Sequence, residues 1–335
     1  IVLVTGVQTC ALPIYYDLFG MDWAKALYSY YIKEGELFAL LSDNDTHQKY
    51  LTAFLRSKKE YAKVSWINEV TQEKDYDRAA TELIDLGLHR ERDLWSKKVQ
   101  LSIGKLARLA GRKHSAANGL HIPDGGQAEL KETEAQLEII RIQGMVHKHV
   151  RAAVKGAIDD TAERQLALEV YDNPALRAKP ALATVLHEKL GWLLEHHAMG
   201  ALDLVDLLTL LGPDSRGESG GVLEGEEFHH ALLALNAGGP EAEGEFKLAE
   251  MGVWRRCMLR DDWGGINDTD AKSDEEVRWR LEGTALYKTL RGCVRDREFT
   301  FFFVSVWPLA RTLSFLTFTN PAELICAVCM PEMEN

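Results

Sequence analysis

The chain has 335 residues, of which 46% are hydrophobic, enough to bury one large core or two modest ones, and this excludes a disordered chain. Acidic residues outnumber basic ones by 51 to 39, for a net charge of -12 at pH 7; that balance argues against a general binder of nucleic acid or anionic membrane, both of which need clustered cations, and points to protein as the partner. Cys10, Cys257, Cys293, Cys326 and Cys329 suggest no disulfide framework, which suits a reducing cytoplasmic or nuclear compartment.

The opening IVLVTG reads as a strand and a glycine turn, but Gly6 has no companion glycine for a nucleotide-binding turn and Pro13 interrupts a following helix. A coding string for VTGVQTCALPI, Val4 to Ile14, looks like a common sequencing adapter. Residues 1–14 are therefore expected to be a non-native leader and are set aside from the fold. No signal peptide follows, because the chain from Tyr15 onward has no basic region ahead of an apolar core.

Trp23, Ala26, Leu27, Tyr30 and Tyr31 predict a helix over 22–33 that Gly35 ends. Asp45 or Thr46 is placed to cap a short helix carrying Tyr50, Leu51, Phe54 and Leu55. Val64 and Ile67 mark a brief helix. Tyr76, Ala79, Ala80, Leu83 and Ile84 mark another, and Leu94, Leu101, Leu106 and Leu109 line a long one from about residue 90, with Gly87 as punctuation between the two. Residues 111–126, GRKHSAANGLHIPDGG, read as a linker and a candidate sub-boundary.

A long amphipathic helix over 127–157 follows, then helices at 161–171, 180–196, 226–235, 244–259 and 274–292, with GPDSRGESGG at 212–221 as a loop. No strand pattern of useful length and no fixed repeat period emerges. The predicted fold is all-α, an irregular solenoid of stacked helix pairs. Residues 298–335 change character to Phe, Thr and Val. Pro308 and Arg311 split the apolar run below the roughly 20 residues that span a bilayer, so this tail reads as intron read-through or a frameshift.

Chemical motifs are broken. His187-Glu188 opens like a zinc-binding HExxH helix, but Gly191 holds the second histidine's place. His196-His197 and His229-His230 are adjacent pairs, which diverge by about 100° on a helix and read as surface or boundary histidines. Cys326-x-x-Cys329 stands alone. No Walker loop, nucleophile elbow or paired carboxylates are present. No enzyme, cofactor or metal is expected. Lys97, Lys98, Lys105, Arg108, Arg112 and Lys113 form the densest basic cluster, interleaved with Leu101, Ile103, Leu106 and Leu109 as on an amphipathic helix with a wet basic face.

The segments FGMDWAKALYSYYIKEGELFALL, HQKYLTAFLRSKKEYAKVSWINEV, DYDRAATELIDLGLHRERDLWSKKVQLSIGKLARLA, FKLAEMGVWRRCMLRDDW and EVRWRLEGTALYKTLRGC, in that order, resemble the C-terminal helical domain of the nucleoporin-one-thirty-three family in a filamentous-fungal form, over residues 15–297. The resemblance implies a scaffold component of the Y-shaped outer-ring coat of the nuclear pore. It also implies a tail-to-tail partner, the neighbouring stem nucleoporin of the hundred-and-seven class, and a role in mRNA and protein transport at the nuclear envelope. Family members carry an N-terminal β-propeller and further helices on both sides of this region. A vesicle-coat or tethering subunit and a helical enzyme are the alternatives, the latter needing a pocket of convergent polar groups. The resemblance also implies that the partner contact involves the helix WSKKVQLSIGKLARLAG. Leu101 and Ile103 are expected to contribute, rimmed by Lys97, Lys98 and Arg108, with Leu106 in the core; no direct nucleic-acid contact and no membrane insertion are expected.

Overall fold

A computed structural model describes residues 2–42, 47–117, 126–173, 176–212, 223, 225–267 and 273–296. Among them there are fifteen α-helices and no β-strand. The chain divides into two compact units, Ile1–Leu137 and Glu138–Asn335.

The first unit holds α1 (Val2–Glu34), α2 (Leu37–Ser42), α3 (Gln48–Leu55), α4 (Ala62–Asn68), α5 (Tyr76–His89), α6 (Leu94–Ala117) and the start of α7 (Gly126–Ala153). Helix α1 is two helices joined at Gly20, whose φ of 56° is open to glycine at little cost. The predicted stop at Gly35 holds: the amide of Glu36 donates to the carbonyl of Tyr31. Tyr16, Ala24, Tyr28, Leu40, Leu51, Phe54, Leu55 and Val64 form one core, in which the Tyr16 hydroxyl donates to that of Tyr28 at 2.9 Å. The expected cap residues Asp45 and Thr46 lie outside the described residues, and α3 begins after His47 without a side-chain cap.

A π-helical turn over Glu69–Glu73 follows α4 and ends at Lys74 in the left-handed region. It holds the fully buried Glu69 against Arg56, whose Nε and Nη2 donate to the two carboxylate oxygens at 2.8 and 2.7 Å. A buried carboxylate needs such a paired, hydrogen-bonded partner. Gly87 does not break the chain as predicted, since α5 runs through it to His89.

The second unit holds the remainder of α7 with α8 (Asp160–Val170), α9 (Pro180–Leu194), α10 (Ala201–Leu210), α11 (Glu227–Gly238), α12 (Glu243–Arg260), α13 (Trp263–Asn267), α14 (Asp274–Gly283) and α15 (Ala285–Arg295). One core joins Ile142, Val146 and Val150 of α7 to Leu190, Leu204, Leu208, Phe228, Ala231, Val253 and Leu290. The predicted single helix over 274–292 is two, because Thr284 adopts extended backbone and its hydroxyl caps α15 at the Tyr287 amide. Asp261 completes that cap by accepting from the amides of Ala285 and Leu286 at 2.8 and 3.1 Å. Pro180 sits at the first turn of α9, where its missing N–H costs nothing. Residues 298–335, read as an anomalous tail, lie outside the described residues. No helix among the described residues is long and apolar enough to cross a membrane.

Candidate functional site

Helix α6 carries the residues expected to bind a partner, and its start is set locally. Asp93 accepts from the Ser96 amide at 2.7 Å, satisfying one of the donors that every helix start leaves open. Beside it, Glu91 accepts from Ser96 Oγ and Gln100 Nε2 at 2.8 and 2.6 Å and pairs with Lys63 at 2.5 Å. Burial pushes the Glu91 carboxyl up, but these hydrogen bonds outweigh it and hold the group at about 2. At its other end α6 continues to Ala117, so the first half of the predicted linker 111–126 is helical; residues 118–125 lie outside the described residues.

One side of α6 is sealed by α5. Leu101 is fully buried in the space left by Gly87, where an added Cβ would sit 2.7 Å from Leu101 Cδ2. The crossing is equally close at Gly104, where a Cβ would meet Ile84 Cγ1 at 2.7 Å. Arg108 lies on this inner side as well. Its side chain is 11% exposed, bonded to Asp77 Oδ1 at 3.0 Å and Thr81 Oγ1 at 2.8 Å and paired with Glu129. Lys97 is half-buried, and desolvation lowers its pKa against the pull of Glu91. Two expectations are thereby corrected. Leu101 is core, not an exposed ridge, and Lys97 and Arg108 face inward, Arg108 as a clamp between helices.

The opposite side of α6 is open. Leu106, expected in the core, is 66% exposed, and with it Val99 at 55%, Leu109 at 46% and Trp95 at 41%. At about 100° per residue these four and Ser102 fall within about 40° of Trp95, a single stripe about 21 Å long. Ile103 is half-buried on its edge. Lys98 is exposed, with its ammonium 5.8 Å from the Trp95 ring centre, and Lys113 is exposed at the far end. Trp95 and Val99 were not singled out in the sequence. The signal that could have found them is the set of small residues Gly104, Ala107 and Gly111, which marks the other side of the helix as the close-packed one.

The remaining sequence motifs do not converge. His187 and Glu188 are exposed on α9, and His196 and His197 are half-buried. His229 and His230, read as surface or boundary residues, are buried, with His229 Nε2 3.1 Å from an Asp296 oxygen. The side chain of His229 lies over Gly292, where a Cβ would come within 2.6 Å of its ring. Cys257 and Cys293 are buried thiols that burial pushes up to about 12, and Cys326 and Cys329 lie outside the described residues. Among the described residues no three His, Cys, Asp or Glu side chains are grouped to hold a metal ion.

Nucleoporin NUP133 of Chaetomium thermophilum is 34% identical over 311 residues, 91% of this chain and 22% of the relative. Nucleoporin nup132 of Schizosaccharomyces pombe is 28% identical over 286 residues, 84% of this chain and 23% of the relative. The chain spans less than a quarter of the length of either. Residues 9–317 match the family model described as the non-repetitive/WGA-negative nucleoporin C-terminal region, and the chain belongs to that nucleoporin family.

Proposed function

We propose that this chain is a scaffold segment of the outer-ring, Y-shaped coat of the nuclear pore at the nuclear envelope, acting through protein contacts and not through catalysis. In this reading it binds a neighbouring stem nucleoporin of the hundred-and-seven class and thereby supports mRNA and protein transport. Family membership supports the setting. The observation that carries the binding surface is the stripe of Trp95, Val99, Leu106 and Leu109 on α6, apolar side chains left in water on a helix whose other side is sealed. Ile103 contributes from the stripe's edge and Lys98 from its rim, whereas Leu101 and Arg108 support the surface from behind by fixing α6 on its neighbours, with Lys97 half-buried beside them.

Hot-spot side chains at interfaces contribute about 2 kcal/mol or more on truncation, which corresponds to about thirtyfold in affinity. Leu106→Asp places a charge in the middle of the stripe without touching the core. Co-purification with the neighbouring stem nucleoporin is expected to be lost, with circular dichroism and melting temperature unchanged. A folded Leu106→Asp protein that binds as the wild type overturns this surface.

A further inference from the structure

The charge on α6 specifies the partner more closely, an inference that rests on the reading of α6 as the binding surface. The 24 residues from Leu94 to Ala117 include six Lys or Arg and no Asp or Glu, in a chain where acidic residues are the majority. Two of the cations on the inner side and its edge are committed. Arg108 is tied to Asp77 and Glu129, and Lys105 to Glu134 at 2.9 Å. The outer ones, Lys98 and Lys113, form no ion pair among the described residues and flank the two ends of the apolar stripe. We propose that this face takes an acidic amphipathic helix from the partner, its apolar residues on Trp95, Val99, Leu106 and Leu109 and its carboxylates against Lys98 and Lys113.

A helix is the form that fits. Residues of α6 already use their backbone groups internally, so an extended strand laid along the stripe would bury N–H and C=O groups with nothing to pair them, while a helix satisfies its own. The stripe's length, about 21 Å, matches a partner helix of about four turns. Acidic flanks follow from charge complementarity, which steers encounter and penalises basic competitors. Two other anionic surfaces are disfavoured. A bilayer takes amphipathic helices that sink into it along their length, whereas α6 is held on α5 and offers only protruding side chains. Nucleic acid makes its contacts through phosphates, whereas the centre of this face is Val99, Ser102 and Leu106.

The test measures affinity of the whole chain for the neighbouring stem nucleoporin, with Lys98→Glu/Lys113→Glu, Lys98→Arg/Lys113→Arg and Leu106→Asp as variants. Both lysines are exposed, so folding is checked simply by circular dichroism. The glutamate pair is expected to weaken binding about tenfold or more, chiefly through a slower on-rate, and to flatten the loss of affinity between about 50 and about 500 mM NaCl; the arginine pair binds as the wild type. If Leu106→Asp abolishes binding while the glutamate pair stays within about twofold of wild type, the acidic helix is overturned and the surface survives. If Leu106→Asp binds normally, the surface itself is wrong and this inference falls with it. Tight binding of anionic vesicles or duplex DNA that the glutamate pair removes, with no effect of that pair on the protein partner, also overturns it.

Discussion

Leu101 and Leu106 exchanged the roles that spacing suggested for them. Both lie on a helix with apolar residues on two sides, and period alone cannot say which side is covered. What decides is the size of the neighbours: Leu101 shares its side with Gly104, Ala107 and Gly111, whose small side chains let α5 approach. His229 and His230 were misplaced for a similar reason, because a polar residue type was read as a surface signal although Phe228, Ala231, Leu232, Ala234 and Leu235 around them are all buried. The Glu69 site was not legible at all, since Arg56, 13 residues away, reaches it only through the fold. Removing Arg56 leaves a fully buried carboxylate whose remaining ion partner among the described residues is Arg78 at 3.7 Å. Arg56→Ala is expected to cost about 3 kcal/mol, the low end for breaking a buried pair, read as a shift in denaturant midpoint with unchanged slope. A loss under about 1 kcal/mol would mean that Arg78 or water replaces it.

At the scale of elements, amphipathic helices were legible and uniformly apolar or short ones were not. Helices α3, α5 and α6 came from their period. Helix α10, ALDLVDLLTL, was missed, because it is buried on nearly every side and so carries no contrast between faces. The break at Thr284 was missed because its cap is completed by Asp261 from another element. The α5–α6 crossing supplies a test of how closely elements are matched. Gly104→Val pits a gain in helix propensity of under about 1 kcal/mol against a Cβ aimed at Ile84 Cγ1, and overpacking costs about 1–3 kcal/mol. The melting temperature is expected to fall by on the order of 5 °C. At Gly252 of α12, where a Cβ would meet nothing within 4 Å, alanine is expected to raise it. An unchanged Gly104→Val protein would show that the crossing yields easily.

For the whole molecule, fold class and family were legible because the order of helix signatures carries them, whereas the division into units at Leu137 and Glu138, inside the continuous α7, left no mark in composition. Acid sensitivity is a property of the sum. Burial holds His147, His229 and His230 below the ordinary imidazole range, His230 at about 4. Around them Asp296, Glu226 and Glu163 pull upward, while Arg295, Arg141, Arg151 and His196 push down. The folded form keeps these rings neutral, and the unfolded chain takes up protons at about pH 6.5. Their stabilisation is thus complete above that value and drains away as pH falls from there toward 4; Glu91 adds a second loss as pH falls from about 4.3 toward 2. Thermal melts are expected to stay level from pH 7.5 to about 6.5 and to decline from there to pH 4, and a profile flat down to pH 4 would refute this.

The two buried thiols have a use that follows from their position. Cys257 is on α12 and Cys293 on α15, and with both held at about 12 the reactive thiolate at neutral pH is on the order of one molecule in 100,000. Alkylation must therefore wait until these two helices part. Its rate at the two positions is a clock for transient opening of the second unit, and it reads how often a folded scaffold element lets go of its own neighbours before any partner pulls on it.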